Sequence, residues 1–203
     1  YASKWYVEYL SQNRKEIMNI GIVCYPTFGG SGVVATELAK VLASKGHKIH
    51  VLSYQRPARL DTLDSNISYH EVSINSYPLF EYPPYALALA SQMVNLIEYE
   101  DLDLLHVHYA LPHATSAYLA KQIMAERGIS VPVVTTLHGT DITLVGRDPS
   151  YKHVVEFSID KSDGVTAVSE YLKQETYSHF DIKQDIKVIP NFIDLDRFKK
   201  SNK

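Results

Sequence analysis

Short apolar runs alternating with helix-length amphipathic stretches constrain this chain most. Ile20–Val23, His47–Leu52, Ser68–Ile74, Leu104–Val107, Val131–Leu137, the run GVTAVS from Gly164 and the run IKVIP from Ile186 read as strands. Between them the period shifts to that of a helix. Val34, Leu38, Val41 and Leu42 share helical spacing. Pro83-Pro84 opens a second helix, with Ala86, Ala90, Met93 and Ile97 on one stripe. Further helices are predicted over Pro112–Arg127, closed by Gly128, over 150–161, and from a Ser169 cap through Tyr177. Such alternation predicts an α/β fold: an open, mostly parallel, Rossmann-like sheet with helices on both faces.

In a sheet of that kind ligands sit beyond the carboxyl ends of the strands. Four stretches then converge: the glycine turn in CYPTFGGSGVV, NSYP after the third strand, HVHYALPH after the fourth and HGTD after the fifth. The glycine turn joins a strand to a helix, where unpaired N–H groups and the positive end of the helix dipole attract anions. Its spacing, Gly29-Gly30-Ser31-Gly32, is not G-x-G-x-x-G. The stretch HVLSYQRP supplies no acid for a dinucleotide ribose. Val33 and Val34 stand where a P-loop needs Lys and Ser or Thr. What remains is a turn whose backbone can approach a phosphate or a sugar, or one that packs tightly at a strand–helix corner.

His106 and His108 project to the same side of a strand end. With His113 nearby zinc must be weighed, but no third ligand stands at a diagnostic spacing, so no metal is expected. His138 leaves the fifth strand ahead of Gly139, placed to donate to a sugar hydroxyl or a phosphate oxygen. Thr140 and Asp141 organise that turn. Tyr109 is a phenol suited to a carboxylate or hydroxyl ligand. Arg56, Arg59 and Arg147 either hold an anion or stay solvated.

Composition narrows the partners. Twenty basic and 23 acidic residues give a net charge of −3, which offers no nucleic-acid surface. The single cysteine, Cys24, excludes an internal disulfide and fits a reducing compartment, so a cytoplasmic protein is expected. No run approaches the ~20 apolar residues of a membrane span, and the opening residues do not read as a signal peptide. Residues 1–17 read as an N-terminal extension. Trp5 with Tyr9 and Tyr6 with Leu10 make i,i+4 pairs suited to a docked helix.

Taken together, GIVCYPTFGGSGVVATELAKVLASKGH, FEYPPYALALAS, DLDLLHVHYALPHATSAYLAKQ and VVTTLHGTDIT resemble the N-terminal half of a retaining GT-B glycosyltransferase. Within that family the likeness is to the members that glycosylate malate in bacillithiol biosynthesis. The resemblance covers Met18 to Lys203 and includes VTAVS and VIPNFIDLDRF. It implies that residues 18–190 form the acceptor-side domain and that 191–203 begin a linker to an absent donor-binding domain. It also implies transfer of N-acetylglucosamine from UDP-N-acetylglucosamine to L-malate with retention, by front-face attack. The UDP-sugar is a substrate, and no cofactor is expected. Gly30, Ser31 and Gly32 then lie by the donor diphosphate and sugar, and His138 touches the transferred sugar. Catalysis falls to His138 and Ser31. Tyr109, Thr136, Asn75 and Tyr77 line the acceptor pocket. The malate-using members carry a basic residue in the helix before the sixth strand, where this chain has Glu156. Another sugar donor or hydroxyl acceptor is one alternative. A non-catalytic module that binds an anion or a partner is another, and a homo-oligomer is possible with either.

Overall fold

The computed structural model describes residues 16–60, 64–74 and 78–193. The proposed N-terminal helix, Asn75, Tyr77 and most of the linker fall outside them. Seven parallel strands form one sheet: β1 Asn19–Val23, β2 Lys48–Ser53, β3 Ile67–Glu71, β4 Leu104–His108, β5 Val133–Leu137, β6 Gly164–Ala167 and β7 Ile186–Val188. Their spatial order is β3-β2-β1-β4-β5-β6-β7. The chain runs outward from β1 in one direction, then returns to β4 and runs out in the other. β1 and β4 therefore flank the reversal of winding, which opens a crevice at their carboxyl ends.

Six α-helices connect the strands among the described residues: α1 Ser31–Ser44, α2 Tyr85–Glu100, α3 Thr115–Glu126, α4 Thr140–Thr143, α5 Pro149–Asp160 and α6 Glu170–His179. Central strands bury both faces, so both halves of the period-2 pattern are apolar. Val23, Leu105 and Val107 pack beneath α2 and α3, against Leu89, Met93, Ile97 and Met124. The alternate residues Ile20, Ile22 and Leu104 pack beneath α1, against Ala35, Ala39, Leu42 and Ala43. A third cluster joins α5 and α6 to Leu137, Val165 and Ala167.

The fold class is as the sequence predicts, and several elements are shifted. β3 ends at Glu71 rather than Ile74, and α6 runs two residues beyond Tyr177. The helix expected from Pro112 begins at Thr115, because a π-turn over Ala110–Ala114, with a cis Leu111–Pro112 bond, precedes it. Helix α1 docks with its small residues. Val41 is exposed and Val34 and Leu38 are only half-buried, while Gly32, Ala35, Thr36 and Ala39 face the sheet. Small side chains let the helix axis lie close to β1, while Val34, Leu38 and Val41 ride at the rim.

Gly32 sets that approach. A Cβ built there would lie 2.5 Å from both the Tyr25 carbonyl and the Thr27 hydroxyl. Backbone cannot move aside cheaply, so Gly32→Ala is expected to cost about 1–3 kcal/mol. Urea titration of the variant and the parent tests this; an unchanged midpoint would mean that the helix start is loose.

Candidate functional site

The loops after β1, β4 and β5 meet at the crevice. After β1, Thr27 ties the glycine turn together: its hydroxyl donates to the Gly29 carbonyl at 2.7 Å and accepts from the Gly32 amide at 3.2 Å. Gly30, at φ 57° and ψ −132°, caps α1 in a conformation that side chains strongly disfavour. Ser31 is the first residue of the helix and is 4% exposed. Thr27 occupies one first-turn amide, while other amides of that turn lack an intrahelical acceptor. Nothing in the sequence patterning singled out Thr27.

After β4 the chain bends sharply. Tyr109 has φ 89°, a region that costs a non-glycine residue about 1–3 kcal/mol. Its amide donates to the Thr136 carbonyl, and its own carbonyl accepts from the Ala114 amide, which fixes the bend from both sides. The Tyr109 ring then stands 5.3 Å from Tyr25 and 5.5 Å from His138, centre to centre. Tyr25 in turn contacts His113 at 4.5 Å.

After β5, Asp141 stitches the loops. Its carboxylate accepts from the amides of Gly139 at 3.0 Å, His138 at 3.3 Å and Ala110 at 3.0 Å. Burial pushes its carboxyl up, and backbone hydrogen bonds, the Ala110 amide first, pull it down without cancelling that rise. A carboxylate spent on three amides holds the HGTD turn against the β4 loop and is poorly placed to act as a base. This matches the turn-organising role expected of it.

Four histidines form the centre of the site. His106 Nε2 lies 2.7 Å from the Thr136 hydroxyl, which is itself 2.7 Å from the Thr166 hydroxyl. The His106 and His108 rings stack at 4.7 Å. His108 Nδ1 lies 2.7 Å from His138 Nε2. His113 Nδ1 donates to the His108 carbonyl. Burial lowers every one of these imidazoles: His106 to about 3, His113 and His138 to about 4, and His108 well below its ordinary value. All four are neutral at pH 7. No group of three or more His, Cys, Asp or Glu among the described residues is arranged to hold a metal ion.

Two hollows open beside this centre. The larger, about 450 Å³, is lined by Tyr25, Tyr109, Leu111, Pro112, Thr140, Asp141, Val145 and Tyr151. The smaller, about 50 Å³, takes His106, His108 and Thr136 together with Val34 and Leu38 of α1. Tyr109 and Thr136, read together as an acceptor pair, thus line different hollows, and the Thr136 hydroxyl is engaged by two internal partners. Tyr25 and Tyr151 join Tyr109 in the larger hollow and went unnoticed in the sequence. The three arginines are engaged elsewhere: Arg56 with the Leu60 carbonyl at 2.8 Å, Arg59 with Glu37 at 3.5 Å and Arg147 with Glu175. Glu156 is not among the described lining residues of the larger hollow: its carboxylate accepts from the Asp181 amide at 3.2 Å and pairs with Lys152 at 3.8 Å.

Comparison with known proteins agrees with this picture. Residues 28–197 match the profile of Glycosyltransferase Family 4. Over 177 residues the chain is 54% identical to the N-acetyl-alpha-D-glucosaminyl L-malate synthase of Bacillus anthracis, covering 87% of this chain and 46% of the relative. An uncharacterised glycosyltransferase from Methanocaldococcus jannaschii is 29% identical over 156 residues, covering 75% of this chain and 40% of the relative. The chain therefore spans less than half the length of these relatives. Among solved structures, a glycosyltransferase from Rickettsia africae aligns with a TM-score of 0.65 at 24% identity, over 91% of this chain and 45% of that one. Anabaena HepE, solved with UDP-glucose, aligns at 0.64 and 18% identity, over 91% and 47%. These likenesses show the fold of a GT-B N-terminal domain. No helix among the described residues is long and apolar enough to cross a membrane. The chain belongs to Glycosyltransferase Family 4.

Proposed function

We propose that this family member forms the acceptor-side half of a retaining enzyme. It moves N-acetylglucosamine from UDP-N-acetylglucosamine to L-malate, without a cofactor. The 54% identity to a synthase of that name carries the reading. Residues 18–190 are its N-terminal domain, and the stretch from 191 leads toward a donor-binding half. The amides at Gly30 and Ser31 face the donor diphosphate, where the α1 dipole favours negative charge. Gly32 keeps the turn close enough for this. His138 donates to the transferred sugar or the departing phosphate oxygen, and Tyr109 faces the acceptor. Asp141, the one carboxylate among the described lining residues of the larger hollow, is held by three amides, so the leaving diphosphate takes the acceptor's proton. The protein orients both substrates and stabilises developing charge.

A second reading keeps the transfer and changes the acceptor. The larger hollow is lined by tyrosines, aliphatic side chains, a threonine and one carboxylate, with no basic side chain among its described lining residues. A dicarboxylate is best held by cations and forked donors, so this lining favours a neutral hydroxyl acceptor. The test uses the protein expressed from its complete reading frame, incubated with UDP-N-acetylglucosamine with and without L-malate. Malate-dependent UDP release with a glucosaminyl-malate mass is the expected result. Transfer only to other acceptors selects the second reading. No turnover with any donor, in folded protein, leaves a binding module.

A further inference from the structure

His108 is 1% exposed and sits at the last position of β4, with the His106 and His138 ring centres 4.7 and 5.0 Å away. Its backbone carbonyl is held by His113, whose Nδ1 must be the donor because a carbonyl only accepts. Across the 2.7 Å contact between His108 Nδ1 and His138 Nε2, one ring donates and the other accepts. There are two ways to place the proton. If His138 donates, the His108 proton sits on Nε2, a buried atom with no partner among the described residues. If His108 donates, that buried Nε2 is a bare lone pair. Orphaned buried N–H groups are the rarer defect in folded proteins. The second arrangement is favoured.

We propose that His108 is a positioning residue for His138. Its Nδ1–H donates to His138 Nε2 and holds His138 with its own proton on Nδ1, so that His138 presents a donor rather than a lone pair to the ligand. One nitrogen's hydrogen bond fixes the tautomer of the other. His138 Nδ1 has no hydrogen-bond partner among the described residues, and the residue is only partly buried. A donor there suits a sugar hydroxyl or a phosphate oxygen, and it cannot abstract a proton from the acceptor. The tautomer stands whatever the cleft binds; its use in catalysis rests on the transfer reaction proposed above.

Long-range ¹H–¹⁵N correlation spectra of the ¹⁵N-labelled protein at pH 7.5 test the tautomer without any assay. His108 and His138 are expected to show Nδ1–H and a bare Nε2, with peaks assigned through His108→Asn and His138→Gln. An Nε2–H on His138 overturns the proposal even if the protein transfers sugar. Turnover supplies the second readout. His108→Phe keeps the ring's bulk and removes the donor, and is expected to lose about 10- to 100-fold in kcat with KM little changed. His108→Asn, whose amide N–H takes the place of Nδ1–H, is expected to lie at least about 10-fold above His108→Phe. Equal losses in both variants, or full activity in His108→Phe, reject the donor role. If no donor is turned over at all, the transfer reading fails while the spectra still decide the tautomer.

Discussion

Replacing His138 with alanine is expected to lower sugar transfer by roughly 10²–10³-fold, the usual cost of removing one donor aimed at developing charge. The ring leaves β5 at the crevice, and its Nε2 is held by His108 at 2.7 Å. Burial keeps it neutral at pH 7, with its pKa near 4, so it acts by hydrogen bonding and not as a cation. A fixed donor of this kind matters most when the sugar–phosphate bond is breaking. The loss should therefore fall on kcat, with KM close to the parent value. Truncation also strands the His108 donor, at about 1–3 kcal/mol of stability. Rates are to be compared at a temperature where circular dichroism shows the variant folded. A loss below about 5-fold, against the 10²-fold expectation, would take His138 out of the reacting centre and leave the loop's architecture as its role.

The sequence exposed those parts of the molecule that depend on periodicity and on glycine. Seven apolar runs were enough to reach the parallel sheet, since a strand buried on both faces must be apolar at successive positions. Gly30 and Gly32 were visible for the same kind of reason: one needs a positive φ, the other leaves no room for a Cβ. Spacing weighs large side chains most, so it picked out Leu42 of α1's docking face and passed over the small residues beside it. Ala35, Ala39 and Gly32 join Leu42 in the contact, and their smallness allows the close approach. The site was only half legible. His138, Tyr109 and the glycine turn are each announced by their place at a strand end, and topology brings those ends together. Which atoms they satisfy depends on tertiary geometry. Thr136 looked like a ligand group and instead bridges His106 and Thr166. Glu156 stands where the resemblance expects a basic residue, and its carboxylate serves the Asp181 amide. Thr27 gave no signal because a hydroxyl bonding to nearby backbone leaves no spacing pattern, and Tyr25 gave none because its partners are rings distant in sequence.

The buried imidazoles make the fold's stability steeply dependent on pH. In the unfolded chain each histidine takes a proton near pH 6.5. In the folded chain His106 does so only at about 3, and His113 and His138 at about 4, all because burial penalises the charged ring; His108 shifts the same way. Between pH 4 and 6.5 the unfolded state therefore holds more protons than the native state. Stability rises with pH across that window and is lost as the pH falls from about 6.5. His47, His50 and His70 are lowered too, again by burial first, and add to the same slope. Asp141, raised by burial, acts in the opposite sense, in the lower range where carboxylates titrate. Each fully buried ring contributes at most about 1.4 kcal/mol per pH unit. Together the three fully buried rings and the partly buried His138 can remove a typical reserve of about 5–15 kcal/mol within a few pH units. Urea titrations at half-unit steps are expected to show a plateau above pH 7, a steep fall below 6.5 and acid unfolding near pH 5. Proton uptake on unfolding at pH 5.5 should approach one per buried ring. A stability that stays level from pH 7 to 5 would mean that these rings are solvated or paired with acids, and the neutral donor assigned to His138 would lose its physical basis.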